Sequence, residues 1–357
     1  MRTKVYKVYT ISIILLVILV SVPIYSYGKV TGQCSNCHTM HNSQNGISVS
    51  KGGPHEELLK DTCIGCHTGT NTGTNKTPYV LSISPPDYGV NGTGTTGNTL
   101  AGGNFYWVAS SGGADDRCGH NVQGISPPDA TLGLTPPGGT PLSTELTCAG
   151  TNGCHGDRSI QDQYKAIYGA HHAHVDTGWQ DGSTVAKSYR FLLGIQGMED
   201  PKWEYHPDQY HHNKYYGVDR TTEADVSGTI SHLCAECHGY FHHGTGQIAP
   251  DIPHGVWLRH PTDFDMNNVK NGTEYQYYNG GTGVDNPYSV ISPVATSDTS
   301  TTLNTVVYHQ AGDAIVMCLS CHRAHGSPYH AILRWNYKAW PGPNGYNGCA
   351  VCHTAKN

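Results

Sequence analysis

Two cysteines three positions apart, with a histidine directly after the second, occur at Cys34-Ser35-Asn36-Cys37-His38. The same unit returns as Cys63-Ile64-Gly65-Cys66-His67, Cys234-Ala235-Glu236-Cys237-His238, Cys318-Leu319-Ser320-Cys321-His322 and Cys349-Ala350-Val351-Cys352-His353. This spacing lets each thiol add to one of the two vinyl groups of a porphyrin while the following imidazole reaches the iron. A zinc ribbon also pairs C-x-x-C units, but it closes each metal with four ligands and needs no histidine after every pair. The repeated unit therefore reads as covalent attachment of haem c, with His38, His67, His238, His322 and His353 as proximal ligands.

A sixth stretch departs from the pattern. In Cys148-Ala149-Gly150-Thr151-Asn152-Gly153-Cys154-His155 five residues separate the thiols. Two readings stay open. A Gly/Thr/Asn loop can bulge outward and leave both sulfurs near their vinyl groups, giving an expanded C-x5-C-H site with His155 as proximal ligand. Alternatively Cys154 makes a single thioether and Cys148 a disulfide with Cys118, the one cysteine outside a haem motif.

Covalent haems also account for an unusual composition. The 357 residues include 44 Gly, 20 Pro and 23 Tyr but only 4 Phe, and segments 69–103, 124–144 and 271–304 are rich in Gly, Thr, Asn and Pro. Loops of this length argue against a compact domain unless something pins their ends. Haems and iron ligands can do so, each porphyrin supplying a large apolar plate in place of aliphatic core. The expected fold is mostly irregular coil, with a few short helices and minor strands, wrapped around a stack of covalent haems. Proximal histidines lie 29 residues apart from His38 to His67 and 31 apart from His322 to His353, with gaps above eighty between. No solenoid period is present. Local signals predict a short helical turn over 56–60, a helix over 159–168 with Ser159 as N-cap and Gly169 as stop, and strands over 189–193 and 305–308.

The chain opens with Arg2, Lys4 and Lys7, an apolar run over 11–22, and Pro23. A run this short, with Ser26 and Gly28 as small residues before Lys29, predicts a signal peptide over 1–28 and a single exported hexahaem unit over 29–357. Loss of its three cations takes the formal charge from −6 to −9, which excludes nucleic acid as a natural partner.

Six irons need six distal ligands. Histidine numbers 23 and methionine only 5, so bis-histidine ligation is the default. It fills both axial positions and favours electron transfer over substrate binding, so no catalytic residue is expected. Cys34 to its neighbours also carries a spare histidine, His41, three residues after His38 and badly placed to reach the far face of its own haem.

The strings CSNCHTMHNS over 34–43, GHNV over 119–122, SYRFL over 188–192, LRHP over 258–261 and CLSCHRAH over 318–325 occur in this order, followed by a last C-x-x-C-H near the C-terminus. In them the chain resembles the outer-surface hexahaem c-type cytochromes that polymerise into conductive filaments, the outer-membrane cytochrome S type. The resemblance implies His41, His120, His242, His260, His309 and His325 as distal ligands. It departs at the third site, where Gly156-Asp157-Arg158 replaces a histidine three residues on, so His171, His172, His174 and His55 stand as substitutes. His211, His212 and His243 are expected at the surface or beside propionates. The resemblance further implies a head-to-tail homopolymer in which His41 ligates a neighbouring subunit's haem at Cys318, Cys321 and His322, placed outside the cell or at its surface, otherwise in the periplasm. Redox proteins or extracellular acceptors would be its partners. A monomeric periplasmic shuttle and a multihaem oxidoreductase are the alternatives.

Overall fold

Glycine-rich backbone without long apolar runs has little from which to build a bundle or a sheet, and the chain builds neither. The computed structural model describes residues 32–49, 53–111, 115–173, 178–222, 224–242, 246–248, 257–269, 272–281, 286–307 and 310–354, with backbone alone at 224, 246–248 and 257–258. The expected signal peptide and His174, His243 and His309 lie outside these residues. Among the described residues the longest helix is Ile230–His242, and it bends at His238. Among those residues the strands run two or three residues and pair into six separate small sheets, five two-stranded and one three-stranded. No described helix is long and apolar enough to cross a membrane.

Local expectations were met unevenly. The turn near 56 is a 3-10 turn, Glu56–Leu58. The helix expected over 159–168 is shortened to Gln163–Ala166, because Asp162 and not Ser159 takes the capping role, accepting from the amides of Tyr164 and Lys165. Ser159 is held instead by the Asp157 carboxylate. Tyr189–Phe191 is a 3-10 turn where a strand was expected, with Arg190 and Phe191 at positive φ, while Val306–Val307 does form a strand.

Apolar burial is concentrated in three clusters. One gathers Tyr189, Leu192, Ile195, Tyr215, Ile230, Leu233, Ala295, Ile315 and Met317. A second holds Met266, Tyr278, Tyr288, Val290, Val294, Val307, Ala314, Val316 and Val351. The strand Ile315–Val316 joins them, since alternation sends Ile315 and Met317 to one cluster and Ala314 and Val316 to the other. This strand runs straight into Cys318. The third cluster, Phe105, Val108 and Val122, packs with Leu146 and Cys148.

A backbone clamp crosses the middle of the sequence. Gly326 bridges both Gly103 and Gly119, and a Cβ added at Gly326 would sit 2.7 Å from the carbonyl oxygens of Asn104 and Cys118. Only glycine lets the three segments approach so closely. The clamp carries two histidines side by side: the His120 amide donates to His325 O at 3.2 Å and its Nδ1 to Ala324 O at 2.7 Å.

Candidate haem sites

An imidazole that donates its Nδ1–H to a fixed acceptor leaves the Nε2 lone pair free for a metal, and the acceptor sets the ring's tautomer and direction. Each of the six histidines expected to be proximal has such an acceptor. His38 donates to Glu57 O (3.0 Å), His67 to Pro78 O (2.8 Å), His155 to Arg190 O (2.9 Å), His238 to Pro137 O (2.6 Å) and His322 to Ala331 O (2.8 Å). His353 meets the Glu274 carboxylate, 3.2 Å from Oε1.

Three of these acceptors belong to the same device. Glu57-Leu58, Arg190-Phe191 and Ala331-Ile332 are each a pair of consecutive left-handed residues in a 3-10 turn. The first residue of each pair accepts from the proximal imidazole. The second accepts the amide just after that histidine, Thr39, Gly156 and Arg323 respectively. A leucine follows each time and bridges back to the motif, as His38 to Leu59, Gly156 to Leu192 and His322 to Leu333. The sequence signal is an apolar residue followed by leucine, too short and too variably spaced to read in advance.

A second imidazole faces five of the six proximal rings. Two metal–nitrogen bonds of about 2 Å, with each ring centre about 1.1 Å behind its nitrogen, put centroids about 6.2 Å apart across an iron. The observed pairs are His38 with His172 (6.1 Å), His67 with His171 (6.4 Å), His238 with His120 (6.1 Å), His155 with His325 (6.4 Å) and His353 with His260 (6.2 Å). The spacing fits bis-histidine haem at all five. Burial pushes His120 down to about 4 and His325 to about 3, holding both imidazoles in the neutral form that ligates metal. His322 has no ring partner among the described residues. His41 is exposed and touches no other ring there.

The cysteines of successive motifs meet in chain order. Cys37 lies within electrostatic reach of Cys66, and Cys63 is in hydrogen-bonding contact with Cys148. Cys154 is within reach of Cys237, Cys234 is in contact with Cys318, and Cys321 is within reach of Cys352. The junctions alternate: second cysteine to second, then first to first. The irregular stretch obeys this alternation with Cys148 as the first and Cys154 as the second.

Its backbone shows how. Thr147–Ala149 and Gly153–His155 form a parallel ladder, pairing Thr147 with Gly153 and Ala149 with His155, so the intervening loop folds back and sets Cys148 alongside Cys154. Cys118 is buried elsewhere, at the glycine clamp, and is not bridged to Cys148. The alternative disulfide between Cys118 and Cys148 is not formed.

Other histidines stand away from proximal rings. His242, expected opposite an iron, has its Nε2 2.8 Å from Asp263 Oδ2, both side chains almost wholly buried, and its ring neighbour is His232. His55 opens the turn Glu56–Leu58. His211 is exposed beside Asp208, whereas His212, expected at the surface or beside a propionate, is buried and stacked 3.7 Å from Tyr288.

Five C-x-x-C-H units and the expanded stretch from Cys148 to His155 are c-type haem attachment motifs set on an irregular chain with small sheets and short helices. Residues 309–357 match the family described as the doubled CXXCH motif. The chain is 26% identical to the C-type cytochrome OmcS of Geobacter sulfurreducens over 366 residues, covering 85% of this chain and 78% of that protein. It is also similar to two solved structures from Geobacter sulfurreducens. An outer membrane cytochrome S filament is 22% identical with a TM-score of 0.48, covering 87% of this chain and 85% of that one. The cryo-EM structure of OmcS nanowires is 21% identical, also with a TM-score of 0.48, covering 94% and 100%.

Proposed function

We propose that the chain carries six haems c in one continuous row and conducts electrons along it. The observation that carries this reading is the ordered approach of cysteines, each motif within hydrogen-bonding or electrostatic reach of the next from Cys37 to Cys352. Haem supplies the one-electron chemistry. The protein's part is to hold the axial imidazoles and exclude water. The proximal ligands are His38, His67, His155, His238, His322 and His353. Opposite them we assign His172, His171, His325, His120, a residue of another subunit, and His260, so His171 and His172 take the places first given to His242 and His309. With both axial positions filled no iron is open to substrate, which favours a conduit over an oxidoreductase.

The iron at His322 takes His41 of a second copy. His41 is exposed and meets no other ring among the described residues, and among those same residues the His322 ring has no facing partner. A ligand given at one end and received at another is a heterologous contact, which propagates into an open filament. The filament reading is also supported by the similarity to OmcS, whose solved structures are named as a filament and as nanowires. Residues 1–28 are then lost on export, and 29–357 form a single unit that assembles outside the cell and passes electrons to redox proteins or extracellular acceptors.

The intact mass of the mature chain should exceed that of residues 29–357 by six haems, about 3.7 kDa. A five-haem mass would remove the site at Cys148, Cys154 and His155. Replacing His171 or His172 by Met should move one haem's optical signal to a different ligation state, and an unchanged spectrum would strike that residue from the ligand set.

A further inference from the structure

Five proximal imidazoles donate Nδ1–H to neutral backbone carbonyls, and one does not. His353 meets a carboxylate, Glu274 Oε1, at 3.2 Å, with the two side chains 26% and 15% exposed. The contact is braced. Glu274 O accepts from the Thr354 amide at 3.0 Å and from Thr354 Oγ1 at 2.6 Å, tying the segment of Glu274 to the residue after the histidine. The Tyr275 ring packs edge-on against His353, 4.9 Å between centroids.

A charged acceptor draws the Nδ1 proton more strongly than a neutral one does. The ring becomes more electron-rich and a stronger donor at Nε2, which stabilises ferric over ferrous iron. We propose that Glu274 is a positioning residue that lowers the reduction potential of the haem at Cys349 and Cys352 below what a backbone carbonyl would set, a claim resting on the bis-histidine reading above.

Two buried cations also border the doubled motif. Arg323 directly follows His322, and the Arg334 amide donates to Cys321 O at 2.8 Å. Both guanidinium side chains are 2% exposed and hydrogen-bond backbone carbonyls, Arg323 those of Gly92, Leu100 and Ala101, Arg334 those of Val290 and Ile291. The buried carboxylate of Glu204 acts on Arg323 more weakly than Arg334 does. Fixed positive charge in a low-dielectric surround favours the reduced haem.

The test is a potentiometric titration of the full holoprotein. Glu274→Gln keeps an acceptor of the same shape without charge, so a merely structural role leaves the curve unchanged. The proposal expects about one sixth of the absorbance change to move to higher potential, with Glu274→Asp restoring it. No displaced component, or one displaced downward, overturns the proposal. His260→Met marks the same haem by its ligation. If in the double variant the displaced component is not the Met-ligated one, the pairing of His260 with His353 fails while the effect of Glu274 stands.

Discussion

The two ends of the proposed joint are built in opposite ways. Around Cys34 packing is thin: the turn Cys34–Asn36 has no buried residue, the ladder of Ser43–Gln44 and Ile47–Ser48 is exposed throughout, and Met40 and Ile47 are 76% and 72% exposed, with Asn42 the buried residue between them. Around Cys318 the chain is locked. Met317 lies inside one apolar cluster and Val316 inside the other, and the Ser320 hydroxyl donates to Pro293 O at 2.6 Å. The contrast follows from the two tasks. A ligand that must reach into another molecule cannot be buried in its own, whereas a receiving iron gains from a first ligand whose direction is already fixed.

The sharpest way to break this comparison is His41→Ala. Monomers should replace filaments in negative-stain images, one iron should bind cyanide, and the remaining five should stay low-spin. Normal filaments from that variant would end the account of the exposed end as ligand donor. Next in size is Gly326→Ala. The new methyl group meets two carbonyl oxygens, so His120 and His325 should be displaced together, changing two haems at once while the pairs of His171 and His172 keep their spectra. A change spread over all sites would deny that the clamp is local.

Packing supplies a third contrast. Met317→Ala removes a side chain 1% exposed and should lower unfolding free energy in guanidinium by about 2–5 kcal/mol. Ile47→Ala should stay within about 0.5 kcal/mol. The smallest effect concerns Asp298, held down at about 2 chiefly by the hydrogen bond from Lys214, whose side chain is wholly buried. A depressed carboxylate contributes stability above its unfolded value, about 4, and loses it as pH falls through about 2. Acidification from pH 5 to 2 should therefore lower Tm more in the parent than in Asp298→Asn. The difference is modest because the Asp298 side chain is 56% exposed and screened by solvent.

Attachment chemistry was legible because it is local. Five residues hold both thioether cysteines and one axial ligand, and no distant contact changes what C-x-x-C-H can do. Coil was legible from composition, since glycine-rich segments without apolar periodicity have no face to bury. The sequence by itself also exposed the anomaly at Cys148, though not its resolution.

What only the tertiary structure decided was which groups meet. The helix over 159–168 shrank because a nearby aspartate captured the amides first. Cys148 faces Cys63 instead of Cys118 because a parallel ladder returns the loop upon itself. His120 faces His238, and His325 faces His155, because three glycines let distant strands touch. His242 turned to Asp263, a partner remote in sequence. Axial ligation depends on a ring's direction and on the carbonyl or carboxylate that fixes it, and those acceptors are set by long-range backbone contacts that no run of neighbouring residues encodes.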